Sequence, residues 1–513
     1  MKNMLVYKNV TVYDEELTPV KIPYLAIKDG KISYMGENDP CPRVTPTECG
    51  GAFVIKPFCD YHYHLPGSRI YDLFGVNLTE ISPDNYGEAL SDAVKRLDSV
   101  RGYGWDVSAL AAYFSGKDES PLEFLDRISA QKPIYLFSTD FHSCWCNSAA
   151  LALLSEEGIF SDFADSEVPS GASSILHEQI AVQIFNCERV CFSSDEIERA
   201  VLLEQEHLLS LGITQIFSLM FIGAPFFSVL EVLSRLDKKG LLKIKVHFSY
   251  TAYPGVPLST VRDELKKCLS YESKNLSLAS LKVYMDGVID NHSAYLLENY
   301  SDISHKGEAL WSDSQLSEMA ACAAEYGLPL HVHAIGDGAA EQAARVLSGF
   351  GRAERGAHII AHLQLCSKET MELMAKSGIA ACLQPFWFYR GERALQLDRQ
   401  RLGDRVKRMY PAASLKSKGV KLLFSSDCPA TTHYDPMLAL RLAVNSCDGE
   451  QISIADGYRA YCVGTYQGDS FVIKTGDKAE LLILEGSLEH PEKARVKAVC
   501  LDGELIEKRA KTV

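Results

Sequence analysis

Phe53-Val54-Ile55-Lys56-Pro57-Phe58-Cys59-Asp60-Tyr61-His62-Tyr63-His64 is an apolar run closed by two histidines one residue apart. Alternate side chains of a strand point the same way. An extended run here therefore aims two imidazoles at one point, which is half of a metal site. What the other half needs is supplied by Lys282, His333, His362 and Asp427, each at the end of another candidate strand.

The candidate strands are 53–60, 214–219, 243–250, 281–286, 328–334, 358–364, 379–384 and 421–427. Helical patterns fall between most of them. From Ser193 to Leu211 the helix is written plainly: Ser193 and Glu196 form a capping box. Ile197, Val201, Leu208 and Leu211 mark one apolar face, and Gly212 follows the last turn. Eight strands with intervening helices predict an α/β chain built on a (β/α)8 TIM barrel. An open doubly wound sheet is the rival, and no G-x-G-x-x-G follows the first strand to support it.

Both ends of the chain read differently. Tyr24–Lys28, Asp29-Gly30 and Lys31–Met35 spell a hairpin, as do Val496–Cys500, Asp502-Gly503 and Glu504–Ile506. These ends, 1–55 and 466–513, are expected to form a small β-sandwich from both termini. The barrel is then 56–465, with a large insertion after its first strand. That insertion, 68–190, is rich in Tyr, Trp and Ser. It is expected to cap the catalytic end, where barrels carry such additions.

Composition excludes several classes. The chain has 513 residues, is 47% hydrophobic and 23% charged, and carries a net charge of −15. That disfavours disorder, nucleic acid and anionic membrane surfaces as readings. No apolar run of about 18 residues predicts a membrane span, and the first residues lack a signal-peptide pattern. The fifteen cysteines are scattered without a C-x-x-C pair, which predicts reduced thiols in a cytoplasmic protein. Cys59 and Cys428, beside proposed ligands, read as small buried packing residues.

Catalytic residues of a barrel project from the carboxyl ends of its strands, and the candidates obey that rule. Lys282 lies in Leu281-Lys282-Val283-Tyr284-Met285-Asp286-Gly287. His333 lies in Leu330-His331-Val332-His333-Ala334-Ile335-Gly336-Asp337, His362 in Ile359-Ile360-Ala361-His362-Leu363-Gln364, and Asp427 ends Leu422-Leu423-Phe424-Ser425-Ser426-Asp427. Taken singly, each has a plain alternative: a hydrogen-bonded core histidine, a snorkelling lysine, a helix-capping aspartate. Six suitable residues at five strand ends point instead to a divalent metal, zinc or a related ion, one or two per chain. A water bound to such an ion loses its proton near neutral pH. Two ions need a bridging anion, and a desolvated lysine that takes up carbon dioxide supplies one. Lys282, a charge in an apolar strand, is otherwise costly, so N6-carboxylation of Lys282 is expected. His331 shares a face with His333 and is kept as a possible supporting residue.

The ordered set resembles the amidohydrolase superfamily, and more closely its YtcJ-like branch, which includes N-substituted formamide deformylase. The motifs span nearly the whole chain. Beyond those quoted above they include Gly104-Trp105-Asp106, Asn147-Ser148-Ala149-Ala150-Leu151, Leu211-Gly212-Ile213-Thr214, Gln384-Pro385, Ser426-Asp427-Cys428-Pro429 and Asp435-Pro436. The resemblance implies hydrolysis of an amide or related non-peptide carbon–nitrogen bond in a small molecule. It implies His62, His64, Lys282, His333, His362 and Asp427 as metal ligands, with Asp427 also shuttling the proton. There are departures. Phe58 and Tyr61 stand where the family usually has glycine and a small residue, and Thr475–Glu480 stands where Gly-Lys-x-Ala-Asp is usual.

Trp105, His142, Trp145, Asn147, Asp286 and Gln384 are the candidate substrate-binding residues, with the aromatic run Phe386–Tyr389 at the mouth. Two other functions suit the same scaffold: a mononuclear deaminase of a cyclic amidine or base, which the strand-four lysine argues against, and a non-catalytic binding protein, which a missing ligand would favour. A homodimer is the default assembly.

Overall fold

A computed structural model describes residues 4–161, 174–389, 391–446 and 449–507. The parts of the expected cap at 162–173 and of the C-terminal unit at 508–513 lie outside the described residues. Eight parallel strands form the centre of the molecule: β1 (Phe58–Tyr63), β2 (Ile213–Ser218), β3 (Lys245–Thr251), β4 (Leu276–Tyr284), β5 (Leu330–Ala334), β6 (Ile359–His362), β7 (Ala380–Leu383) and β8 (Leu422–Phe424). They hydrogen-bond in sequence order from β1 to β8. The ring is completed past the end of β8, where the Asp427 amide donates to the His62 carbonyl (2.8 Å) and the His64 amide to the Cys428 carbonyl (3.0 Å). This is the barrel expected from the sequence, and the open-sheet rival is excluded.

Most strand residues are buried because helices cover the outer face of the barrel. Helix α1 (Ser194–Ser210) shows how local signals set this up. Ser193 and Glu196 make the reciprocal capping box, and Ile197, Val201 and Leu208 are buried. Gly212 then takes φ +82, and a Cβ there would lie 2.6 Å from Leu482. A glycine is needed both to turn the chain and to let it pass the terminal sheet.

The stretch 53–60 is not one strand. Phe53–Ile55 belongs to the terminal sheet, with Ile55 opposite Leu482, while Phe58 begins β1 opposite Ile213. Pro57 has no N–H to offer a ladder. Lys56 turns aside to contact the Ser470 carbonyl (2.9 Å) and Asp477 (3.2 Å). The terminal sheet contains strands from both ends of the chain. It curls so that Val10, Leu25, Ile32, Leu481 and Cys500 share one core, and its two hairpin turns meet where Gly503 abuts Gly30. Glu480, at one of the departures noted above, accepts from Gln215 of β2 (3.1 Å) and pairs with Lys245 of β3. It anchors this sheet to the barrel. Phe58 and Tyr61 likewise pack, against Tyr458 and Tyr461, and against Phe217 and Tyr466.

The insertion has helices, but it also holds a five-stranded sheet that its sequence did not announce: Val76–Asn77, Val100–Trp105, Ile134–Ser138, Ser143–Cys146 and Ile175–His177. Such short strands carry too little alternation to be read. No helix among the described residues is long and apolar enough to cross a membrane, and the fourteen described cysteines are free thiols.

Candidate metal centre

The H-x-H pair ends β1 as the period of a strand requires. His62 and His64 face the barrel interior with their rings 5.2 Å apart, while Tyr63 between them turns outward to Glu204. Asp427 follows β8 and brings one carboxylate oxygen to within 3.1 Å of His62 Nε2 and 3.0 Å of His64 Nε2. The His362 ring, at the end of β6, lies 4.8 Å from His62 and 4.5 Å from His333. One donor atom from each of His62, His362 and Asp427 falls within 4.8 Å of the others. Lys282, fully buried on β4, holds its Nζ 4.6 Å over the Tyr284 ring.

Several atoms of this cluster lack partners. Lys282 Nζ, His62 Nδ1, His64 Nδ1, His362 Nε2 and both nitrogens of His331 are buried without a hydrogen bond among the described residues. Unmet polar atoms in a native interior call for an explanation, and a cation-binding centre is one that the donor types fit. Burial holds His62, His331, His333 and His362 well below the ordinary imidazole range. They are neutral at physiological pH, the form that ligates a metal. Burial also brings the Lys282 amine down to about 7, so a neutral nucleophilic amine is accessible there. For Asp427 burial acts to raise the pKa. The hydrogen bond from His64 and the neighbouring His362 and Lys282 outweigh it, and the carboxyl sits below its ordinary value.

The surroundings fix the donors. His362 Nδ1 meets Gln384 Oε1 at 3.1 Å, and Gln384 Nε2 donates to Ser425 (2.9 Å). With the imidazole proton on Nδ1, Nε2 is left free for a ligand. Asp286 accepts the backbone amides of Tyr295, Ile335 and Gly336 (2.8–3.0 Å), which pins the turn after His333. Gly336 in that turn is forced, since a Cβ would meet the Tyr295 carbonyl at 2.0 Å. Asp60 plays the same part beneath β8 by accepting the Ser426 amide at 3.1 Å. His362 (φ +74) and Asp427 (φ +60) sit in the left-handed backbone region. Conformations of that kind cost about 1–3 kcal/mol each and gather at functional sites.

The centre opens on two adjoining cavities of about 330 and 370 Å³, both bordered by Asp427 and by His142 of the cap. The first is walled by Phe141, Met220, Ile222, Tyr253, Tyr284 and Leu310. The second has Asp106, Asp140, Asp290 and Trp387 on its walls, and Trp387 stacks on His362 at 5.3 Å.

The candidate substrate contacts divide. His142 reaches the cavities, its ring 6.0 Å from His333. Trp105 borders the second cavity but is fully buried, donating to the Leu136 carbonyl, and Asp286 borders the first. Trp145 and Asn147 do not reach either. Trp145 packs on Phe124 and Trp105 in the core of the cap. Asn147 caps the following helix through Ala150 and spends its amide on the Ser129 and Lys132 carbonyls. Gln384 stands behind His362 rather than before the substrate. Tyr253, Met220 and Trp387 also line the cavities. Of these only Trp387 had a signal, in the aromatic run Phe386–Tyr389.

The sequence profile of the amidohydrolase family matches residues 48–506. Among curated proteins the chain is 25% identical to the exoenzymes regulatory protein AepA of Pectobacterium carotovorum subsp. carotovorum (74% of this chain, 85% of that one). It is 25% identical to the putative amidohydrolase YtcJ of Bacillus subtilis strain 168 (82% and 79%). It is 20% identical to N-substituted formamide deformylase of Arthrobacter pascens (94% and 93%). In fold it matches an uncharacterized metal-dependent hydrolase from Pyrococcus horikoshii OT3 with a TM-score of 0.74, at 24% identity over 94% of this chain and 98% of that one.

Proposed function

Since the chain belongs to the amidohydrolase family, in its YtcJ-like branch, we propose that it is a metal-dependent hydrolase of an amide or related non-peptide carbon–nitrogen bond in a small molecule. The observation that carries this is the set of unpartnered donors on His62, Lys282 and His362 gathered around Asp427 at the carboxyl end of the barrel. His62, His64, Lys282, His333, His362 and Asp427 would hold the ion or ions, with zinc the best match to the donor set and a carboxylated Lys282 able to bridge two. Held there, a divalent ion supplies Lewis acidity and brings the pKa of a bound water towards neutrality.

The remaining work falls to the chain. Asp427 takes the proton from the attacking water on one carboxylate oxygen and returns it to the leaving nitrogen. Its low pKa keeps it ready to accept. His142 and the cap exclude bulk water from above, and Trp387 braces His362. The Tyr253, Tyr284 and Met220 wall favours an apolar or aromatic substituent on the substrate.

The test is metal content per chain on protein purified without chelator, beside Lys282→Ala, followed by turnover of N-substituted amides. Near two ions per chain, falling toward one or none in the variant, supports the bridged hydrolase. One ion unaffected by the substitution removes the bridging role. No ion, with none taken up on addition, overturns the reading.

A further inference from the structure

His331 is fully buried and neither of its ring nitrogens has a partner among the described residues. An imidazole must place one donor and one acceptor, and native interiors rarely leave both unmet. His331 lies two residues before His333 on β5, so it faces the same interior one step deeper. On β7, two residues before Gln384 and in register with His333 across Ala361 of β6, stands Cys382, also fully buried. Its thiol has only a 3.3 Å contact with Ser425 Oγ and a 3.7 Å contact with the Tyr61 carbonyl. The His331 ring meets His62 nearly edge-on at 5.2 Å. One donor atom from each of His62, His331 and Cys382 lies within 4.8 Å of the others.

We propose that His62, His331 and Cys382 form an inner seat for one thiophilic divalent ion, separate from the cavity-facing set of His62, His362 and Asp427. Nitrogen and sulfur donors around such an ion stand about 3.3–3.8 Å apart, so side-chain movements of about 1–1.5 Å close the seat. On binding, the Cys382 S–H bond breaks, its proton passes to solvent, and a sulfur–metal bond forms without any change of oxidation state. Thiolate selects zinc or cadmium over harder ions, whereas the imidazole and carboxylate donors of the outer set do not. Neither His331 nor Cys382 borders the cavities, so an ion seated there is withdrawn from substrate. The seats are linked: both draw on His62, and Cys382 connects through Ser425 and Gln384 to His362. The inner seat thus rests on the outer cluster being a metal centre.

Cobalt(II) titration of the full chain, stripped of metal beforehand, separates the two claims by absorption. The wild type is expected to show a thiolate-to-cobalt charge-transfer band that saturates at one equivalent. Cys382→Ala and His331→Gln should each lose that band while still binding cobalt through the outer set. Cobalt bound without a thiolate band, or a band unchanged in Cys382→Ala, overturns the inner seat and leaves the outer centre standing. No cobalt bound at all overturns both. If circular dichroism shows one variant misfolded, the other decides.

Discussion

Two buried polar clusters hang from the same strand, and they are opposites. On the inner side of β1, His62 and His64 join Lys282, His331 and His362, and each of the five keeps at least one buried nitrogen without a hydrogen bond among the described residues. On the outer side Tyr63 donates to Glu204, which also accepts from Tyr434 (2.7 Å) and Arg69 (3.3 Å). Both clusters are deep. One is complete as it stands and ties β1 to helix α1. The other is complete only with something added. Burial of polar groups is thus no mark of function here, whereas the convergence of several unpartnered imidazole and amine nitrogens on one point is.

Substitutions can break this contrast. The largest effect belongs to Asp427→Asn, which keeps the shape of the site but cannot shuttle a proton. Turnover is expected to fall about 10²–10⁴-fold with an unchanged circular dichroism spectrum; retention of more than a tenth of the activity would remove Asp427 from its role. Next comes Gln384→Ala, which frees the His362 ring. Metal affinity measured by competition with a chelator should weaken about 10–100-fold.

On the satisfied side, Tyr63→Phe should lower stability by about 1–2 kcal/mol in urea unfolding while metal content stays at the wild-type level. A loss of metal there would erase the distinction between the two faces. The smallest effect is a slope. Lys282 titrates near 10.5 when unfolded and about 7 when folded, so between those values the unfolded chain binds the extra proton. The metal-free protein should therefore gain stability as pH rises from 7 to 10.5, and below 7 the penalty is fully present. Lys282→Met should flatten that rise; an equal rise in the variant would assign it elsewhere.

The same contrast explains what could be read from the residues alone. H-x-H, the lone strand lysine and Asp427 stood out because each is an expensive residue in an apolar run, and the structure gathers them at one end of the barrel. The barrel itself was legible because its strands are short buried runs between capped helices. Reading failed where the deciding contact lay far along the chain. Nothing local says that Ile55 pairs with Leu482 while Phe58 pairs with Ile213. Trp145 and Asn147 read as substrate contacts but serve the interior of the cap. Gln384 reads as a substrate contact because its position at a strand end gives depth but not direction, and it instead meets His362 Nδ1. His331 reads as a companion of His333, whereas Cys382 carries no signal until the barrel turns β1, β5 and β7 toward one interior.

The terminal sheet has a consequence for how the protein is made. The strand Phe53–Ile55 finds its antiparallel neighbour only in Leu481–Glu485, about 430 residues later in synthesis. At 5–20 residues per second the ribosome takes roughly 20–85 s to deliver it. Throughout that interval the nascent chain carries an open strand edge, the kind of surface that recruits chaperones or aggregates. Release of a chain cut short before Leu481 leaves that edge open for good, however well its barrel has closed.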